Sequence, residues 1–114
     1  MSSFSDKGLL GELEQLVLLA AMDLEHDDDG AYAVSIRNRI HARAGIDLSR
    51  TSVYVTLDRL DRKGYMRSWF GDPTPERGGK AKRLFRVSAT GRRALASAEA
   101  AIARMRGRAV ARTP

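Results

Sequence analysis

Between Gly64 and Ser88 the sequence changes its period, and that break limits the folds open to the whole chain. Two short runs, YMRSWFG and KRLFRVS, stand on either side of the polar stretch DPTPERGGKA. Aromatic and branched residues flanking Pro- and Gly-rich sequence predict an antiparallel hairpin with a long loop. In the second run the strand period puts Phe85 and Val87 inward and Arg86 outward. Ser88 then stands where a cap for a last helix belongs. A hairpin followed by a helix, within 114 residues, leaves room for a single compact domain.

Ahead of the break the apolar spacing is helical. Leu9, Leu13, Leu16, Val17, Ala20 and Leu24 share one face of a first helix, which the run EHDDDG ends. A second helix is expected from about Ala31 to Ala44 through Val34, Ile36 and Ile40, with Asp29 as its cap and Gly45 closing it. The next stretch, LSRTSVYVTLDRLDRKGYM, mixes strand-type residues with a charged helical ending. Val53, Leu57 and Leu60 fall on one helical face, Asp47 or Ser49 can cap, and Gly64 can stop. The period therefore decides for a third helix.

The last helix carries Gly91, Leu95, Ala98, Ile102 and Met105 in steps of four, three, four and three, a narrow seam with coiled-coil spacing. So short a seam cannot stand alone, and on a small monomer it would leave an apolar stripe in water. A homodimer is expected, with Leu95, Ala98, Ile102 and Met105 sharing the contact with Leu9 and Leu13 of the first helix.

Charge is distributed unevenly. Residues 1–49 hold four Lys/Arg against nine Asp/Glu, a net of −5, and residues 50–114 hold sixteen against five, a net of +11. The basic half points to a polyanion, most simply nucleic acid. The chain has no cysteine, so disulfides and thiolate metal sites are excluded. No run is long and apolar enough for a membrane span and no signal-type segment opens the chain, so the expected location is the cytoplasm. Neither a cofactor nor a metal is expected: His26 and His41 are isolated, HDDD reads as surface charge, and RGGK lacks the spacing of a phosphate loop. With no nucleophile and no acid–base pair, the protein is not expected to be an enzyme.

The order helix, helix, helix, hairpin, helix predicts a mainly α fold with a small β-hairpin. This is a winged helix-turn-helix over residues 1–87 with a C-terminal dimerisation helix over 88–114. In such a module the third helix enters the major groove of double-stranded DNA by its first turns, and the loop between the strands lies along the backbone or in the minor groove. This accounts for the mixed character of the third helix, whose opening turns offer Thr51, Ser52, Tyr54 and Thr56 to bases and phosphates, with Ser49 and Arg50 also expected at the DNA. Opposite the apolar face, Thr51 and Val55 are expected nearest the bases, Val55 against a thymine methyl, with Ser52 and Tyr54 on phosphates. In the wing, Arg77, Lys80, Lys82 and Arg83 are expected to neutralise phosphates.

With GAYAVSIRNRI, SVYVTLDRLDRKGYM and RGGKAKRLFRVSATGRRAL together, the chain resembles the PadR family of transcriptional regulators, in its short form with one helix after the wing. The resemblance spans roughly Leu9 to Met105. It implies a homodimeric repressor on an inverted-repeat operator, with Tyr32 and Tyr54 at the family's tyrosine positions, and it leaves room for a small-molecule effector. Two differences stand out: Val55 follows Tyr54 where the family commonly has proline, and DDDG precedes Tyr32. The tryptophan that some short relatives use against planar drugs has no counterpart in the last helix, and Trp69, on the first strand, is read as structural. The competing reading from another class is a winged-helix adaptor that docks a protein through its acidic first half and binds no specific DNA. An RNA role is disfavoured, because the wing offers no aromatic platform for single-stranded bases.

Overall fold

The computed structural model describes residues 9–72 and 81–107. Four helices and one hairpin make up these residues: α1 (Glu12–Leu24), α2 (Ala33–Ala44), α3 (Arg50–Arg62), β1 (Met66–Phe70), β2 (Arg83–Val87) and α4 (Ala89–Met105). Helices α1 to α3 pack on one another, and the hairpin closes the core by lying against α1 and α3. Val17, Leu18, Ile36, Leu57, Leu60 and Met66 fill that core and are withdrawn from solvent. None of the described helices is long and apolar enough to cross a membrane.

Helix starts follow from local hydrogen bonding, and one differs from expectation. Asp29 does not cap α2. The Ala31 carbonyl accepts the Phe85 N–H at 2.8 Å, so the chain there pairs with β2 through a single isolated bridge before the helix can start. The helix begins only after Tyr32, whose N–H donates to Ser35 Oγ at 2.9 Å. Helix α1 likewise starts three residues later than its apolar spacing suggests, because Gly11 donates to Glu14 Oε1 at 2.9 Å and fixes the first turn there. The other two caps are as read. Ser49 Oγ accepts the Ser52 N–H, and Ser88 Oγ accepts the Gly91 N–H, each at 3.0 Å. Gly45 and Gly64 close α2 and α3 with φ of 71° and 80°, a region that glycine enters without strain.

The hairpin register pairs Met66 with Val87, Ser68 with Phe85 and Phe70 with Arg83. Opposed residues share a face, so Met66, Ser68, Arg83, Phe85 and Val87 look toward the helices and Arg67, Trp69, Leu84 and Arg86 look away, while Phe70 at the end of β1 is 69% exposed. Phe85 and Val87 are buried and Arg86 is exposed, as the alternation requires.

A single carboxylate joins three elements. Glu25, just past α1, accepts the Val87 N–H at 3.3 Å and the Arg92 guanidinium at 2.7 Å. Helix α4 is also pinned to the end of α3, where Ser88 donates its hydroxyl to the Gly64 carbonyl at 2.7 Å and its N–H to that of Tyr65 at 3.0 Å. The α4 seam therefore divides. Gly91, Leu95 and Ala98 are buried against their own chain, whereas Ile102 is 51% and Met105 85% exposed. Leu9 is exposed as well, and Leu13 packs partly against the core.

Glu14 is nearly buried in α1 and meets Lys63 Nζ at 2.9 Å. Burial alone would raise its pKa. The Lys63 ammonium, the Gly11 N–H and the charge of Arg59 outweigh that effect and hold the carboxyl below its ordinary value. A carboxyl whose folded pKa is depressed adds stability that is complete above its unfolded value and is lost as pH falls through the folded one. Glu14→Gln is accordingly expected to be less stable than the wild type at neutral pH, with the gap closing on acidification. Urea melts across that range measure it; a gap that stays constant with pH would show that Glu14 acts by shape rather than charge.

Candidate nucleic-acid interface

Helix α3 is amphipathic in a way that fixes what it can present. Val53, Leu57 and Leu60 are fully buried, which turns Arg50, Thr51, Tyr54 and Val55 to solvent. Arg37 holds the approach to this helix by donating from Nε to the Leu48 carbonyl at 2.6 Å. Ser52 lies on the flank, where its hydroxyl is 3.0 Å from that of Ser49 within the cap. Thr56 departs from expectation. It is buried, and its hydroxyl donates to the Ser52 carbonyl at 2.8 Å, so it cannot face a groove. The four-residue step from Ser52 brings that carbonyl within reach, a local bond open to any threonine in a helix.

Two tyrosines and two wing cations are matched. Lys82 Nζ lies 4.2 Å from the centre of the Tyr32 ring, and Arg83 Nη1 donates to Tyr54 Oη at 3.0 Å. The second contact belongs to a larger set. Arg83 Nη2 also reaches Asp61 Oδ2 at 2.8 Å and Ser68 Oγ at 3.1 Å, and the guanidinium carbon sits 4.9 Å from the Phe85 ring centre. Burial works against the Arg83 charge, but the bonds to Tyr54 and Asp61 outweigh it and raise the guanidinium's pKa above its ordinary value. Arg83 is thus the joint between wing and α3 rather than a free loop cation. Because Tyr54 Oη accepts from Arg83, its own hydrogen remains available for donation to an acceptor such as a phosphate oxygen.

Ala33 and Val34, at the start of α2, join Arg50, Thr51, Tyr54 and Val55 around an open groove of about 430 Å³. Sequence reading placed the last four at the interface and missed the first two, which look like ordinary helix residues until the two helix starts are seen side by side. Asp61 and Ser68 were missed for a similar reason, since only the hairpin register brings them to Arg83. Arg77 and Lys80 lie outside the described residues.

Residues 23–97 match the Transcriptional regulator PadR-like family. No curated protein matches the chain in sequence. Among solved structures, a PadR-like transcription factor from Bacteroides fragilis superposes with a TM-score of 0.69 at 20% identity, covering 92% of this chain and 90% of that one. A PadR family transcriptional regulator from Eggerthella lenta gives 0.64 at 24% identity over 84% and 80%. The Aeropyrum pernix ORC1 protein, solved in complex with DNA, gives 0.60 at 25% identity over 84% of this chain and 26% of that one. The structural likenesses share the arrangement of helices and hairpin, and the family match covers the segment that carries α2, α3 and the wing. The chain belongs to the PadR-like family of transcriptional regulators.

Proposed function

We propose that the protein is a homodimeric repressor that binds an inverted-repeat operator in double-stranded DNA in the cytoplasm. The observation that carries this reading is the outer face of α3, where Arg50, Thr51, Tyr54 and Val55 are exposed while the opposite face is locked into the core. Thr51 and Val55 meet base edges, and Arg50, Ser49, Ser52 and the Tyr54 hydroxyl meet phosphates. Tyr32, Lys82 and Arg83 hold the wing in place, with Arg77, Lys80 and Lys82 as its phosphate contacts. Likeness to a protein solved in complex with DNA supports the reading. Two copies related by a twofold axis require a twofold site, with half-sites about 10 base pairs apart or a multiple of that. Selection from a random duplex pool, followed by footprinting, tests this. An enriched inverted repeat is the expected result, and binding that is uniformly weak and erased by salt would favour a protein adaptor instead.

Pairing of copies is assigned to the exposed end of the α4 seam, Ile102 and Met105, with Leu9 and Leu13, while Leu95 and Ala98 support it from inside each protomer. Ile102→Asp puts an unpaired charge into that contact, at a cost of several kcal/mol. The expected result in sedimentation velocity is a monomer. A dimer of unchanged affinity would move the interface elsewhere.

A further inference from the structure

We infer that the groove between the first turns of α2 and α3 reads the C5 methyl groups of pyrimidines in the major groove, thymine above all. The inference rests on the DNA-binding reading and names what that site recognises. Its lining is mainly apolar: Val55, 46% exposed, and half-buried Val34 line it together with Ala33, Thr51 and Tyr54. Its rim is cationic. Arg50 stands at the edge, and α2 and α3 both begin there, each bringing the partial positive charge of a helix start. No acidic side chain lines it.

An apolar floor under a positive rim suits one feature of duplex DNA in particular. Phosphates border the major groove, and between them thymine alone of the four common bases presents a methyl group. The floor has no Asn or Gln to pair with adenine in two-bond fashion and no carboxylate to accept from cytosine. Hydrogen-bond readout there is left to Thr51 and Arg50, and the valines contribute by burying methyl surface. The groove is larger than one methyl needs, so successive thymines can share it. A methyl at C5 of cytosine occupies the same edge of the base pair and is accepted on the same terms.

The test uses the full chain and the duplex it selects from a random pool. Each thymine of a half-site is replaced in turn by uracil, which removes the methyl and leaves base pairing intact. Binding is expected to weaken about fourfold at one position or two neighbouring ones, the value of one buried carbon group. A 5-methylcytosine pair at those positions is expected to bind tighter than an unmethylated one. Val34→Ala and Val55→Ala, checked for unchanged melting, are expected to lose most of the uracil effect. Selective binding with equal affinity for every uracil duplex would overturn the inference and leave the DNA reading standing. A uracil effect that persists undiminished in both valine variants would place methyl reading elsewhere and overturn the groove assignment. Failure to select any sequence would remove the DNA reading itself, and this inference with it.

Discussion

Gly91→Ala is expected to lower folding stability by about 3 kcal/mol, although the same change within an ordinary helix gains about 1 kcal/mol. The sign reverses because α4 crosses the chain at Tyr65 with no space between them. A Cβ at Gly91 would overlap the Tyr65 carbonyl oxygen and stand 3.0 Å from both its carbon and Val87 Cγ1. The helix cannot back away cheaply. Ser88 holds its first turn to Gly64 and Tyr65, and Arg92 holds it to Glu25. Relief would have to break a charge-assisted bond or two neutral ones. Urea denaturation should show a lower midpoint with little change in slope. A variant as stable as the wild type would mean that α4 slides freely over Tyr65.

The second large effect is expected at Arg83. Arg83→Lys keeps the charge yet should weaken selective DNA binding by roughly 10- to 100-fold, the equivalent of one charge-assisted hydrogen bond lost at the joint. One guanidinium spans Tyr54 from Nη1 and both Asp61 and Ser68 from Nη2. An ammonium group is a single point and cannot hold all three in a fixed plane. The wing would then be free to tilt against α3, and Tyr54 would lose the partner that orients its hydroxyl. Fluorescence anisotropy with the selected duplex measures the loss, and circular dichroism checks that the helices remain. If lysine restores full affinity, Arg83 works by charge alone and the joint has no part in recognition.

Much of this architecture was legible because it is written in spacing. The one-face pattern of Val53, Leu57 and Leu60, the serines at positions 49 and 88, and the alternation of Phe85, Arg86 and Val87 each depend only on neighbours in the chain. What escaped depends on contacts between distant segments. Asp29 looked like a cap because nothing nearby reveals that Ala31 will pair with Phe85, more than fifty residues on. Arg83 sat in a run of cations and was read with them, whereas its strand register aims it at Tyr54 and Asp61. Gly91 fitted a seam of small and apolar residues, and its real constraint, a carbonyl of another segment, leaves no periodic trace. The division of that seam after Ala98 was hidden for the same reason, since which part of α4 is covered depends on its packing against α1.

The tie at Glu25 has a consequence for the order in which the molecule is made. Its two donors, Val87 and Arg92, follow it by 62 and 67 residues, so the carboxylate can gain neither of them until β2 and α4 have been made. Contacts that close long loops form late, because the entropy of closure is lost before the bond is gained. The α1–α2 contacts can form while the wing is still unmade, and α4 docks last. Its outer end carries Ile102 and Met105 of the surface proposed for pairing, so a chain that has not reached α4 holds only the Leu9 and Leu13 part of it. On the proposed pairing, two copies would complete their contact only after α4 has docked on its own chain, so the tie at Glu25 would set the order of folding and assembly.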